Sequence, residues 1–394
     1  MSHNANGSIN ATTNATFNEH VVMKKNSTTL GNSSIGGSLY VGGDKVVRTA
    51  DKVICRSGSG YSTAQCDVVC LKSDVSCTTE FQNLIDHNTS IYVRGGEYPF
   101  VLFNNYNSDY RGNINIFHDN VKIIFAEDAF IKSSYPSNNA DDLAAISIFN
   151  ASNVYIENPQ IIGNSTCGGS ANCAGIYVGD SHNVTIVKPS VTKVKGFGIF
   201  INNFNGKTEL ITVDGAYVRG EGIKDAIGGG SIDGIKKFTH ITVKNSYVMQ
   251  TNDQGTAGDG INFVGGEAIS IHNNDVFGNL VFGFEYPTIF SSITDNEVYP
   301  RNGGTVTYLG SINDSSLSNL ITNNIVHDGY TLMKDNRSTL SNNKFYNSSN
   351  TNIIYENHNI ITNNDFEINS ANYNLDIRGN DNQIYNNKII DGRR

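Results

Sequence analysis

The stretch Ile271-His272-Asn273-Asn274-Asp275-Val276 decides the reading of this chain, because it keeps returning. It reappears as Ile293-Thr294-Asp295-Asn296-Glu297-Val298 and Ile321-Thr322-Asn323-Asn324-Ile325-Val326. Further on come Leu340-Ser341-Asn342-Asn343-Lys344-Phe345, Ile361-Thr362-Asn363-Asn364-Asp365-Phe366 and Ile384-Tyr385-Asn386-Asn387-Lys388-Ile389. Successive copies start 22, 28, 19, 21 and 23 residues apart (293−271, 321−293, 340−321, 361−340, 384−361). A period in the twenties marks a solenoid. The apolar residues on either side of each copy point inward, and the Asn pair makes the corner between two strands. Asn tolerates the left-handed backbone region and bonds its own backbone. Stacked at about 4.8 Å, the corner amides form a ladder. One coil alone cannot bury its apolar face, whereas a stack can.

Earlier coils carry variants: Ile156-Glu157-Asn158-Pro159-Gln160-Ile161, Ile186-Val187-Lys188-Pro189-Ser190-Val191, Val213-Asp214-Gly215-Ala216-Tyr217-Val218 and Val243-Lys244-Asn245-Ser246-Tyr247-Val248. Here Gly or Pro serves the turn. These coils are longer, and the additional residues fall at 163–174, 203–208, 220–237 and 250–258. Long loops on the middle coils of a regular stack are where a site is built.

Composition agrees with long ladders of strand. Among 394 residues there are six Pro and no Trp, and only 16% are charged. A net charge of −9 with no basic stripe argues against a nucleic-acid partner. No apolar run approaches the length of a membrane span, so no membrane insertion is expected. Met1 to Thr29 is polar and lacks the layout of a secretory signal. Either a signal has been removed or the protein leaves the cell inside an assembled particle.

Three segments are expected: a flexible polar arm over 1–35, a cap with a Cys cluster over 36–90, and the solenoid over 91–394. In the cap, Thr78 to His87 reads as a short helix with Phe81, Leu84 and Ile85 on one face. Its task is to cover the open apolar end of the first coil. The chain stops at Asp391-Gly392-Arg393-Arg394 without a second such helix, so charge, polar side chains or a neighbouring subunit is expected to protect the last coil. Of the six Cys, Cys167 and Cys173 are spaced to close one loop. Cys55, Cys66, Cys70 and Cys77 allow three disulfide pairings, and a four-thiolate zinc site is the rival reading, although no CxxC pair is present. Sequons at Asn14, Asn26, Asn150, Asn164 and Asn183 favour an extracellular fate only weakly in so Asn-rich a chain.

A helix at Thr79 to Asp86, the strand-and-turn Ile91 to Tyr98, and coil openings such as Asn120-Val121-Lys122-Ile123 resemble the pectin-lyase-like superfamily. That group includes polygalacturonases, pectate lyases, alginate epimerases and viral tailspikes. The resemblance covers residues 75–390 or so. It implies an all-β, single-stranded right-handed parallel β-helix of about eleven coils with an N-terminal capping helix. By analogy with tailspikes it also implies a homo-oligomer, a trimer. The group's enzyme motifs are mostly missing. Gly258-Asp259-Gly260-Ile261 loosely resembles the Asn-Thr-Asp motif of polygalacturonases, but Asp141-Asp142 lies too early to serve as their Asp-Asp. There is no Gly-His-Gly, Arg-x-Lys or Asp-Pro-His-Asp, and the Trp-containing motif of pectate lyases is excluded.

Site residues are sought on a second recurring strand, opening Gly175-Ile176-Tyr177, Gly198-Ile199-Phe200, Gly260-Ile261-Asn262 and Gly283-Phe284-Glu285. Alternation sends Tyr177, Phe200, Asn262, Glu285 and Thr307 outward. Aromatic faces beside acids and amides suit sugars, so Tyr177, Asp180, Phe200, Asn262 and Tyr286 are expected to bind substrate. Glycoside hydrolysis needs two carboxyl groups. Asp233, Asp259 and Glu285, on successive coils, are the catalytic candidates, with Glu221 and Asp225 in the longest loop nearby. No cofactor or metal is expected, with calcium between loop acids the alternative left open; Gly228 to Asp233 resembles a calcium-binding Gly-Asp repeat, but it occurs once. The expected partner is a polysaccharide or cell-surface glycan. Three functions fit: a glycan-recognising spike for host attachment on a virus or phage-like particle, a secreted polysaccharide hydrolase or lyase, or a structural coat protein. The expected location is extracellular or the virion surface.

Overall fold

In the computed structural model the described residues are 15–17, 21–23, 33–35, 39–41, 44–46, 52–57, 66–70, 77–87, 90–101, 110–134, 142–163, 173–221, 224–231, 237–251, 258–283, 286–300, 307–348, 351–368 and 375–391. They fall in two compact units, Met1–Asp51 and Lys52–Arg394. In the first, Ala15–Phe17 pairs in parallel with Ser33–Ile35, while Val21–Met23, Leu39–Val41 and Asp44–Val46 form a three-stranded sheet.

The second unit is a parallel β-helix. All its strand pairs are parallel, and each strand pairs with its equivalent in the next coil, as Ser152–Glu157 does with His182–Val187 and that strand with Thr208–Asp214. The third strand of each coil belongs to one sheet of twelve, running from Gly96–Val101 to Lys388–Asp391, close to the eleven coils expected. Inward residues stack in columns: Ile123, Ile156, Ile186, Val213, Val243, Ile271, Ile293, Ile321, Leu340 and Ile361 are in register and fully buried. Each contributes about 2 kcal/mol of apolar burial.

The Asn pair divides its work. The first member takes the left-handed conformation, with φ near 55° at Asn245, Asn273, Asn323, Asn342, Asn363 and Asn386. The second turns inward. Asn274, Asn296, Asn324, Asn343, Asn364 and Asn387 form a chain of amides in which each Nδ2 donates to the next Oδ1 at 2.9–3.0 Å. Each Nδ2 also donates back to a carbonyl of the preceding coil, as Asn324 does to Ile293 at 2.9 Å. At Lys188-Pro189 the expected part for Pro is corrected. Lys188 itself adopts φ 49°, and Pro189 follows in the ladder position.

The capping helix spans Cys77–His87. Phe81 and Ile85 are buried, and Phe81 stacks on Phe100 with centroids 5.1 Å apart. Gln82 accepts from the Asn115 N–H at 2.8 Å and donates to the Asn115 carbonyl at 2.6 Å, so it pairs with the strand as another strand would. The four cap cysteines form Cys55–Cys66 and Cys70–Cys77, which rules out the zinc reading. Cys173 is disulfide-bonded, and Cys167 lies outside the described residues. Disulfides persist where the surroundings are oxidising, so the folded chain belongs in an extracellular type of environment.

Candidate functional site: a carboxyl pair on the middle coils

The first strands of the middle coils fix the site. Ile199, Ile227, Ile261 and Leu280 lie in register on Phe197–Asn203, Ile227–Ser231, Ile261–Phe263 and Leu280–Phe282. Two residues before each Ile stand Phe197, Asp225 and Asp259, so the two acids occupy equivalent places one coil apart. The main chain holds them there. The Ala226 N–H donates to the Asp259 carbonyl at 2.9 Å, and the Asp259 N–H donates to Asp225 Oδ1 at 2.7 Å. Two glycines make the room. A Cβ at Gly228 would lie 2.6 Å from Asp225 Oδ2, and one at Gly258 would lie 2.3 Å from the Asp225 nitrogen.

Amides line the pair. Asn279 Nδ2 donates to Asp259 Oδ1 at 2.7 Å, and the Asn262 side chain donates to the Asp225 carboxylate. Lys224 Nζ lies 5.8 Å from the centre of the Phe197 ring, and its charge works against the rise at Asp225. Burial pushes the Asp225 carboxyl up to about 8, and the Asp259 carboxylate beside it adds to the rise. Two carboxyls this close do not ionise together. Of the two, Asp225 is the carboxyl whose burial and neighbouring charge favour holding a proton. Asp259 is 9% exposed and Asn262 is 6% exposed. The Asn262 Oδ1 is buried with no hydrogen-bond partner among the described residues.

Of the expected catalytic acids, only Asp259 falls in this arrangement. Asp233 and Glu285 lie outside the described residues, as does most of the loop sequence around them. By sequence Asp225 is a bystander in the longest loop. The signal that picks it out is the phrase Asp225-Ala226-Ile227, repeated one coil later as Asp259-Gly260-Ile261.

The substrate-binding expectations fare unevenly. Tyr177 and Phe200 do leave the coil on its outward side, but they are not an open platform. Tyr177 is fully buried and Phe200 is 8% exposed, packed with Ala144, Ala174 and Phe197 in a small second core. The physical reason is that the side chains lie along the sheet instead of standing off it. Phe200 stacks on Phe197 at 4.2 Å, and Tyr177 folds over Gly179, where any Cβ would meet its hydroxyl. Asp180 is a loop holder. Its two oxygens accept from the N–H groups of Phe204 at 2.7 Å and Asn205 at 3.0 Å. Tyr286 is 40% exposed and is the one exposed ring among those expected. Among the described residues no group of three or more His, Cys, Asp or Glu could hold a metal ion, and no helix is long and apolar enough to cross a membrane.

Solved structures share this architecture. PfbA, a surface adhesin of Streptococcus pneumoniae, matches with TM-score 0.51 at 15% identity, over 79% of this chain and 87% of that one. A polygalacturonase from Erwinia carotovora ssp. carotovora matches with TM-score 0.51 at 13% identity, over 88% and 98%. The fold is the pectin-lyase-like right-handed parallel β-helix. In this β-helix, as in others, fold alone does not assign activity, since adhesin and hydrolase share it. No protein-family model matches the chain, and no curated protein matches its sequence.

Proposed function

We propose that this β-helix is an extracellular glycan-recognising protein that cleaves a glycosidic bond in the polymer it binds. The single observation behind this reading is the Asp225–Asp259 pair, in which burial and the neighbouring Asp259 carboxylate raise the proton affinity of Asp225. Raising one carboxyl of a pair is how one site supplies an acid and a base at one pH. The Asp225 carboxyl gives its proton to the glycosidic oxygen as the C–O bond breaks. Asp259, ionised, draws a proton from the water that attacks the anomeric carbon. The sugar leaves with a new hydroxyl, and the pair is left with one proton, as it began.

The test is incubation with a panel of neutral, anionic and cationic polysaccharides, followed by assay of reducing ends. Asp225→Asn and Asp259→Asn should each cut the rate by about 10²–10⁴, the contribution of a general acid or base. Binding without any new reducing ends from the wild type would refute the cleavage step.

That second outcome is the attachment reading, a host-binding spike of a virus or phage-like particle assembled as an oligomer. The separate unit Met1–Asp51 favours it as a mounting segment distinct from the β-helix.

A further inference from the structure

Two rings on one coil stand clear of every other ring. Tyr286 is 40% exposed, and Phe290, at 59%, is the most exposed aromatic side chain among the described residues. Elsewhere the outward rings cover one another. On the twelve-stranded sheet Tyr217 stacks on Tyr247 at 5.5 Å, Phe277 on Tyr299 at 4.6 Å and Tyr299 on His327 at 4.7 Å, so those faces are taken. Among the described residues no ring stacks on Tyr286 or Phe290. Their neighbours are small. The Tyr286 N–H donates to the Val264 carbonyl at 2.6 Å, and a Cβ at Gly265 would lie 2.6 Å from the Tyr286 Cβ. Phe290 follows Ile289, which pairs with Glu267 on one side and Leu317 on the other, so Ala268 and Ser318 flank Phe290 in register. Neither carries a side chain long enough to cover a ring.

The backbone adds a second observation. Phe290 occupies a position that is left-handed on coil after coil. Earlier coils fill it with Asn120, Asn153 and Asn183, at φ 62°, 58° and 54°, joined amide to amide at 3.1 and 2.8 Å. Register carries the position on through Leu210, His240 and Ala268 to Phe290, where φ is 51°. Asn suits that conformation and Phe does not. A side chain that gains little burial from the fold and strains its own backbone points to a use outside the fold.

Resting on the glycan-recognising reading above, we propose that Tyr286 and Phe290 form a two-ring platform that binds a neutral pyranose polymer by stacking on the C–H faces of its sugars. Pro287, Thr288 and Ile289 lie between the rings, and Thr288–Ile289 is strand, so the two are set no more than about 13 Å apart along the chain. A short oligosaccharide bridges that span. A pyranose with equatorial hydroxyls carries its polar groups at the rim and only C–H on its faces. Stacking therefore leaves the hydroxyls in water, which suits an open platform. A protein partner needs a contiguous apolar patch. Here the surroundings are Gly265, Ala268, Ser318 and the half-buried Glu267, and among the described residues Leu320, which pairs with Ser292, is the one large apolar side chain exposed nearby. Glu267 and the net charge of −9 disfavour a uronic acid polymer. The same coil supplies Asn279, whose amide holds Asp259, so platform and carboxyl pair belong to adjacent coils.

The experiment is NMR titration of the full chain, carrying isotope-labelled Phe rings, with cellohexaose, xylohexaose and galacturonic acid hexamer. The Phe290 signal is the one missing from Phe290→Asn. Cellohexaose or xylohexaose should shift it, and the galacturonic acid hexamer should not. Phe290→Asn should weaken binding of that neutral hexamer by about tenfold, the worth of one stacked ring, while its urea midpoint rises. Phe290→Tyr keeps a ring and should bind as the wild type does, whereas Phe290→Leu should lose as much as Phe290→Asn. Tyr286→Ala should weaken binding by a similar factor, with circular dichroism confirming its β-helix. No shift at Phe290 from either neutral hexamer, a shift from the galacturonic acid hexamer, or unimpaired binding by Phe290→Asn, Phe290→Leu or Tyr286→Ala would overturn the inference. Cleavage of a polymer by the wild type with no hexamer touching Phe290 would sink the platform and leave the cleavage reading standing. Binding at Phe290 with no cleavage of any polymer would do the reverse.

Discussion

Replacing Asp225 by Asn should stabilise this protein, and increasingly so as the pH rises. In the unfolded chain Asp225 ionises at its ordinary 3.8, whereas in the folded chain its carboxyl holds the proton up to about 8. Below pH 4 both states are protonated and the buried site costs nothing. Between 4 and 8 the unfolded chain releases its proton and the folded chain does not, so wild-type stability falls steadily. Above 8 both are ionised and the loss is complete. A rise of roughly four pH units at 1.36 kcal/mol each sets an upper bound of about 5 kcal/mol. The amide introduced by Asp225→Asn has no charge to lose. Its Oδ1 can still accept from the Asp259 N–H, and a flipped Asn262 turns its idle Oδ1 toward the new amide. Urea unfolding of both proteins at pH 5, 6, 7, 8 and 9, with refolding checked at each pH, measures the difference. The gap should widen in favour of the variant by about 4 kcal/mol between pH 5 and 8. Parallel curves, or a gap that narrows with pH, would show that Asp225 titrates as an ordinary carboxylate and would remove the basis for its role as an acid.

Other sites give independent tests. Asn324→Ala removes the acceptor used by the Asn296 amide and main-chain N–H, and it leaves the Ile293 carbonyl without its side-chain donor. It should cost about 3 kcal/mol in urea unfolding, more than a typical surface change. Phe290 is 59% exposed yet holds φ at 51°, a conformation that suits Asn. Phe290→Asn should therefore gain about 1 kcal/mol in the same assay. Cys70→Ser opens the Cys70–Cys77 bridge that ties the strand Val68–Cys70 to the first residue of the capping helix. It should cost about 2 kcal/mol and raise the protease sensitivity of the cap before that of the coils.

How far the sequence speaks for itself differs between fold and site. The repeat at Asn273-Asn274 and its copies is visible because one backbone demand and one interior ladder act on every coil, so the same two residues recur. The capping helix is visible because its buried face, Phe81 and Ile85, keeps helical spacing. The cap's disulfide pairing is hidden, since four cysteines within 23 residues have no spacing that selects a partner (77−55 = 22 steps). At the site, Asp259 is legible from its Gly-Asp-Gly surroundings. Asp225 is not, because its partner lies 34 residues away (259−225) and only register brings them together. Tyr177 and Phe200 show the limit of alternation. The two-residue period gives the side of the strand a ring leaves from, but whether neighbours then cover that ring is a matter of packing.

The amide chain through Asn274, Asn296, Asn324, Asn343, Asn364 and Asn387 also accounts for the uneven length of the turns. Every rung before Asn387 is bonded to the coils on both sides, and a second chain through Ser291, Asn319, Ser338, Asn359 and Asn382 links another corner, so these corners are pinned in height and phase while the strands between them tolerate a bulge or an outgrowth. Turns of 19 and of 28 residues can then share one axis, as floors of different plan share one stairwell. New loops can be added away from these two corners without disturbing the count, which makes this a scaffold on which a surface can diversify while its spine stays fixed.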